Sequence, residues 1–441
     1  MKIKKATLKK PLTAQLEITD VCNHRCEHCY NLDSDLRNRP DRKVPDETVI
    51  KCAEQLIKSQ IFSVVISGGE PLVKKDLTKT VISKFLSNNI EVHLNSNIVL
   101  IDDDFIEFLS QNRITLLTSC PSTTASTFNI ITRTKNYNIF LNKIKKLLNA
   151  RVKLSVNMVV SKSNLNEVYS TANDLIELGV RAFAATPMGL NVDYPRKDLL
   201  LSIEEVKHLV NILISIEKQF HIHVDIMEAL PKCVFGEEIL NNDYPFLKRR
   251  CQAGRNVISV ACNGDVRPCA HNNDVYGNII NEPIELIWER MYDWRANKYI
   301  PDSCKNCTYI DRCLGGCRTS SYAYFGDWKA KDIWSMSPLS LPPKYPNNET
   351  SFQYDDKISF NKNIVVRKED ESTYVIYNKK DDRYLMVNKE LALLIKHILT
   401  LKENSCMGVI KQLNIKDKKG IDTISEVFKF LIKNRIIIVQ K

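Results

Sequence analysis

Cys22, Cys26 and Cys29 stand at a C-x3-C-x2-C spacing directly after an apolar, strand-like run. A compact loop with this spacing brings three thiolates to one point. Three thiolates suit a soft metal centre, and cysteine runs of this kind hold iron–sulfur clusters. A structural four-iron cluster takes four cysteines, so three leave one iron open to a ligand from outside the protein. A zinc fragment is the competing reading. Further on, Ser67-Gly68-Gly69-Glu70-Pro71 follows the next strand-like run. A second cysteine array begins at Cys251, with Gly264 and Cys269 after it, and continues as Cys304-x2-Cys307-x5-Cys313-x3-Cys317. Cysteines clustered at short spacings in a long chain read as metal ligands rather than disulfides. Zinc-ribbon C-x2-C pairs are the alternative here.

The elements that must position these residues are legible from periodicity. Apolar β-branched runs at 15–19, 64–67, 91–95, 115–119, 153–159 and 181–186 read as strands. Helical patterns lie between or after them at 46–58, 77–88, 103–111, 139–148, 165–178 and 203–219. Repeated strand–helix units imply parallel strands with right-handed crossovers. The fold class expected is α/β, a partial (β/α)6 TIM-like barrel. Active sites of such barrels gather at the C-terminal strand ends, where both the cysteine loop and Gly68–Glu70 fall. Asn263-Gly264-Asp265-Val266 reads as a hairpin turn that places Cys269 on the return strand.

Taken together, the cysteine loop and the Gly68-Gly69-Glu70 run resemble the radical S-adenosylmethionine (SAM) enzymes. The resemblance implies that Cys22, Cys26 and Cys29 hold a 4Fe–4S cluster whose open iron is chelated by SAM. Gly68 and Gly69 would let the backbone approach SAM, beside Pro71, and Glu70 would accept from its ammonium. A plainer role for Glu70 is that of an acid at a helix N-terminus. His28 sits where an aromatic residue contacts the adenine through its backbone. Asn95, Ser96, Asn97 and Ser119 are candidate ribose or carboxylate contacts, and Arg133 a candidate carboxylate ligand. Relatives often read Ser-Leu-Asp-Gly after the fourth strand, whereas this chain has Thr118-Ser119-Cys120-Pro121. Cys120 is therefore expected either as a small buried residue or as a thiol near the substrate.

The second array resembles the SPASM domain of peptide-modifying radical SAM enzymes, which carries auxiliary 4Fe–4S clusters. By that resemblance Cys251, Cys269 and Cys317 hold a first auxiliary cluster, and Cys304, Cys307 and Cys313 a second. The family's seventh cysteine is missing, with Ser335 near its place, and a hydroxyl is a poor iron ligand beside a thiolate. Cys262 or Cys233 are candidates to complete the first auxiliary cluster. The clusters could conduct electrons, bind substrate or simply tie down a small domain.

The Pro- and Asn-rich stretch 338–348 reads as a linker. Beyond it, strands at 364–367, 373–377 and 384–387, helices at 389–399, 405–413 and 421–433, and a last strand at 436–439 suggest a small winged-helix-like α+β domain. It resembles the PqqD-like peptide chaperone of pyrroloquinoline quinone biosynthesis, which binds a leader peptide as an added strand. A DNA-binding winged helix is the rival, but no helix is lined with Arg and Asn as a recognition helix would be. The expected division is 1–225 barrel, 226–250 connector, 251–340 auxiliary cluster domain and 350–441 leader-recognition domain.

At 441 residues the chain exceeds one ordinary core. No apolar run nears the ~20 residues of a membrane helix, and no signal peptide follows the basic start. A cytoplasmic protein without membrane association is expected. The net charge of +11 reflects lysines spread along the whole chain, so no nucleic-acid partner is expected. The resemblance implies a peptide maturase that cleaves SAM reductively to a 5′-deoxyadenosyl radical. That radical would take a hydrogen from a ribosomally made precursor peptide, leaving a thioether or carbon–carbon cross-link or an epimer. The implied partners are that leader-bearing peptide and a flavodoxin- or ferredoxin-type electron donor. Alternatives are a sulfatase-maturating enzyme, a tetrapyrrole-processing enzyme and an iron–sulfur DNA-binding regulator. The residue after Cys269 is Ala270, where sulfatase-maturating relatives carry Asp. No general acid or base is assignable.

Overall fold

The computed structural model describes residues 7–31, 43–340, 353–361, 363–379, 383–400, 405–434 and 436–439. The predicted linker at 338–348 falls largely outside them. The chain divides into two compact units, Lys10–Pro343 and a second that contains the C-terminal residues from 344 on.

The first unit is built on a sheet in which β1 (Thr13–Glu17), β2 (Ser63–Ser67), β3 (Glu91–Asn95), β4 (Thr115–Ser119), β5 (Lys153–Val160) and β6 (Ala182–Pro187) lie side by side, all parallel. Helices α1 (Asp46–Lys58), α2 (Lys75–Ser87), α3 (Asp103–Gln111), α4 (Ala125–Thr132), α5 (Tyr137–Asn149), α6 (Val168–Leu178) and α7 (Ile203–Phe220) follow the strands. Alternate positions of β5 are buried, and each long helix buries one stripe, such as Val206, Leu209, Val210, Leu213 and Ile216 of α7. This is the expected partial barrel.

Three differences bear on the site. First, β1 begins and ends two residues earlier than predicted. Backbone pairing continues past its end through Ile18 N–H to Ser67 O and Gly69 N–H to Thr19 O, but Gly68 at φ +144° breaks the ladder. Second, α4 has no counterpart in the periodicity, because its Thr-, Asn- and Ile-rich sequence is a poor helix former. Third, the sheet extends beyond six strands. β7 (His223–Asp225) adds to β6, and β8 (Val257–Val260) pairs in parallel with β1. β9 (Asp265–Arg267) and β10 (Gly277–Asn278) continue the sheet antiparallel. The first strand after Cys251 is thus part of the barrel sheet, which brings the second cysteine array beside the first. The turn at Gly264 forms as expected, with φ +91°, but β9 ends at Arg267, so Cys269 lies just beyond the return strand.

This junction is pinned by a buried ion pair. Arg267 of β9 donates to Glu17, the last residue of β1, and their side chains are only 3% and 2% exposed. Removing one partner strands the other charge away from water, so Arg267→Ala is expected to destabilise this unit by ~3–5 kcal/mol in denaturant unfolding. An effect within experimental error would mean the pair does not hold the two segments together.

In the second unit, β12 (Ile364–Lys368), β13 (Thr373–Asn378) and β14 (Arg383–Asn388) form a three-stranded antiparallel sheet. Helices α8 (Lys389–Thr400), α9 (Cys406–Gln412) and α10 (Lys418–Lys433) follow. The last strand, β15 (Ile437–Val439), pairs with β11 (Ile358–Phe360), a strand the sequence reading lacked. Tyr374, Ile376, Leu391, Ile395, Phe428 and Leu431 sit in their shared core. No helix among the described residues is long and apolar enough to cross a membrane.

Candidate active site and thiol clusters

The cysteine loop leaves β1 and is fastened from below by α4. Arg25 N–H donates to Thr132 O and Glu27 N–H to Ile131 O, 3.2 and 3.0 Å. Within the loop, His24 N–H reaches Cys22 Sγ and Asn31 N–H reaches Cys29 Sγ, both at 3.4 Å. Burial pushes the Cys22 thiol up to about 12, and the charges of Glu70 and Cys29 add to the rise. Burial, then Cys29 and Cys22, holds Cys26 well above the ordinary thiol range. The three sulfurs are therefore close enough to repel as anions, and a cationic centre is what would let them ionise together. His28 and His24 are both lowered to about 4 by burial, so both rings are neutral.

Glu70 is the hub beside this loop. Its carboxylate, 1% exposed, accepts from Leu72 N–H at 2.9 Å, Ser96 Oγ at 2.7 Å and Asn97 N–H at 2.7 Å. It is thus an acid at a helix start, with Pro71 following it, and also a brace on the loop after β3. Burial pushes it up to about 7 in spite of these bonds. Asn97 in turn donates to Asn23 Oδ1 at 2.7 Å, linking the brace to the cysteine loop. Ser96 and Asn97 thus spend polar groups on holding Glu70 and Asn23. Asn95 and Ser119 stand at the ends of β3 and β4, while Arg133 is exposed in a left-handed cap at the end of α4.

The glycines also serve the packing of the loop itself. A Cβ on Gly69 would lie 2.2 Å from Val21 O, and one on Gly68 2.6 Å from Thr19 O. Their missing side chains admit the cysteine loop's own backbone. Cys120 is fully buried and donates to Ser122 O, so it is the small core residue of the two alternatives.

The second array separates into two thiol groups. Cys269 and Cys317 are both raised by burial and then, among other charges, by Cys251, so Cys251 neighbours both. Cys269 lies 3.7 Å from Thr319 Oγ1. The Glu228 carboxylate also acts on Cys317, and no periodicity or motif pointed to it. Asp332, buried, accepts from Cys317 N–H at 2.7 Å, and only glycine fits at 316, where a Cβ would be 2.4 Å from Asp332 Oδ2. The other group, Cys304, Cys307 and Cys313, lines one cavity together with Cys233 and Ser335. Cys233 therefore lies with the second group, whereas the sequence offered it as a candidate to complete the first. Cys262 is buried in the turn between β8 and β9.

A stacked pair joins the two arrays. Tyr30, next to Cys29, lies flat on His271, two residues after Cys269, with ring centroids 4.7 Å apart at 20°. None of the fourteen cysteines is in a disulfide. Among the described residues no three His, Cys, Asp or Glu side chains converge closely enough to hold a single metal ion.

Residues 16–175 match the radical SAM superfamily, and residues 251–308 match the iron–sulfur cluster-binding domain called SPASM. This chain carries a radical SAM domain and a SPASM domain. The SPASM match ends before Cys313 and Cys317. The chain is 25% identical to the AdoMet-dependent heme synthase of Methanosarcina barkeri, over 73% of this chain and 95% of that protein. It is 23% identical to the mycofactocin maturase of Mycolicibacterium smegmatis, over 71% and 80%. The fold is similar to that of Streptococcus suis SuiB bound to its precursor peptide SuiA. That likeness has a TM-score of 0.59 and 16% identity, covering 74% of this chain and 75% of that one.

Proposed function

We propose that this radical SAM enzyme is a maturase of a ribosomally made peptide, acting on a leader-bearing precursor to install a thioether or carbon–carbon cross-link or to epimerise a residue. The observation that carries the reading is the meeting of two thiol arrays, joined by the Tyr30–His271 stack. A 4Fe–4S cluster together with SAM would supply radical chemistry able to take hydrogen from an unactivated carbon. Cys22, Cys26 and Cys29 would hold that cluster. The residues fit it: three thiols of one loop, two of them receiving backbone N–H groups, with an unpartnered buried oxygen, Asn31 Oδ1, beside Gly68. Cys251, Cys269 and Cys317 would hold a first auxiliary cluster, and Cys304, Cys307 and Cys313 a second. An electron donor of flavodoxin or ferredoxin type completes the system. Thiols without disulfides fit a reducing cytoplasm.

This chain's own residues bind, orient and exclude water. Glu70 Oε2 has one lone pair beyond its bond to Asn97, which suits it to accept from the SAM ammonium. Its replacement, Glu70→Gln, is expected to weaken SAM about 10- to 100-fold, the worth of a hydrogen bond to a charged group. Because the carboxyl sits at about 7, SAM affinity should fall as pH drops through that value and the carboxylate takes up a proton. Calorimetric titration across pH should show that slope in the native chain and its loss in Glu70→Gln. Equal slopes would remove Glu70 from SAM binding. His28, Asn95 and Ser119 are candidate contacts to the adenine and ribose, and Arg133 to the carboxylate.

The similarity to the heme synthase favours a tetrapyrrole substrate as the second reading. The small C-terminal unit favours the peptide, since its three-stranded sheet offers edges on which an extended leader adds a strand. The test is to give the reconstituted, reduced enzyme and SAM, in separate arms, a candidate precursor peptide with its leader and a tetrapyrrole. Deoxyadenosine formation with a mass change in the peptide is the expected result. Turnover of a tetrapyrrole with an unchanged peptide would decide for the second reading.

A further inference from the structure

The thiols of the second auxiliary group number four in space although they number three in sequence. Cys304, Cys307 and Cys313 come from one short segment, 304–313. The fourth comes from residue 233, about seventy residues upstream on the connector that follows β7. All four line the same cavity, which Ser335 and Met336 close from another side. The thiols are neighbours electrostatically as well, since the Cys233 thiol is raised by burial and further by Cys313 and Cys304.

Two backbone N–H groups already point at these sulfurs. Lys232 N–H donates to Cys313 Sγ at 3.3 Å, and Met336 N–H to Cys233 Sγ at 3.1 Å. The same kind of contact serves Cys22 and Cys29 in the first loop. Such bonds stabilise sulfur that carries negative charge. Lys232, 2% exposed, also lines the cavity, with its ammonium held by Phe246 O at 3.2 Å and Arg249 O at 2.8 Å. Its charge acts on Cys313, and a cation there lowers the cost of gathering anionic ligands.

We propose that Cys233 is the fourth cysteine ligand of the second auxiliary site, in place of the cysteine that is absent near Ser335. The inference rests on the reading of Cys304, Cys307 and Cys313 as iron–sulfur ligands. Ser335 is the competitor. Its hydroxyl is buried without a partner among the described residues and faces the same cavity. A thiolate is much the better ligand for iron of this kind, so with both present the sulfur takes the position. The contact between Met336 N–H and Cys233 Sγ marks where the two sides meet.

The test compares the full chain with Cys233→Ala, Ser335→Ala, Cys304→Ala and the double variant Cys233→Ala/Ser335→Cys. Each is reconstituted anaerobically and read by iron content and paramagnetic resonance. Cys233→Ala should lose one cluster's iron or convert that cluster to a three-iron form. Ser335→Ala should match the native chain, and the double variant should regain the lost iron. Unchanged iron and spectra in Cys233→Ala, with loss in Cys304→Ala, would overturn the inference and leave the auxiliary site standing. No loss in Cys304→Ala either would overturn the reading beneath it. Loss in Ser335→Ala instead would assign the ligand to the hydroxyl. If Cys233→Ala fails to fold, the near-isosteric Cys233→Ser decides by Mössbauer spectroscopy. A distinct oxygen-ligated iron is expected, and a spectrum identical to the native one would overturn the assignment.

Discussion

Replacing Cys26 with alanine is expected to reduce deoxyadenosine formation by the reduced, reconstituted enzyme to background. The reasoning is local. Burial sets the main cost of ionising Cys26, and its neighbours Cys29 and Cys22 add to that cost once they are anions. Three thiolates around one cluster offset this penalty together; two do not hold the cluster in place against it. The loop itself should survive the change. Its anchors on α4 are the backbone groups of Arg25 and Glu27, and its contact with β2 runs through Gly69 and Glu70 N–H. The metal-free variant should therefore unfold at the same denaturant concentration as the metal-free native chain. Full residual cleavage by Cys26→Ala would refute the assignment of this loop. Loss of cleavage accompanied by loss of the apo fold would leave the effect structural.

Deleting residues 350–441 is expected to weaken precursor binding about 10³-fold while sparing SAM cleavage without peptide. An added strand brings main-chain hydrogen bonds worth about 1 kcal/mol each, and about four of them give that factor. The C-terminal unit has a core of its own, in which Tyr374, Ile376, Phe428 and Leu431 are buried. SAM cleavage by the shortened chain is the control that its barrel persists. Unchanged affinity for the leader, measured by fluorescence anisotropy, would take the leader-recognition role away from this unit.

Much of this architecture was legible in the residues. Strong alternation in β5 and strong amphipathic stripes in α1, α3 and α7 declared themselves, since burial on one face leaves a periodic record. The C-terminal strands and helices fell close to their predicted places for the same reason. Short elements left no such record. β7 has three residues, and β8 has four. What makes β8 matter is its pairing with β1, a partner some 240 residues away that no local pattern encodes. α4 was hidden by poor helix formers, yet it holds the cysteine loop.

The site shows the same division. Cysteine spacing exposed the first loop and the run from Cys304 to Cys317, because ligands close in sequence must be close in space. Cys233 had no neighbour at ligand spacing, so only the folded chain shows its company. Glu228 and the Tyr30–His271 stack were invisible for the same reason. The motif singled out Gly68 and Gly69, and the folded chain adds their tight approach to Thr19 and Val21.

The claim on which the whole account turns is that the loop from Cys22 to Cys29 leaves an iron free for SAM. Paramagnetic resonance on the reduced chain, recorded with and without SAM, addresses it directly. To isolate this cluster, the measurement is best made with all of Cys251, Cys269, Cys304, Cys307, Cys313 and Cys317 replaced by alanine. The account predicts a four-iron signal that changes shape when SAM is added. A signal indifferent to SAM, or a loop that holds zinc after anaerobic preparation, would contradict it.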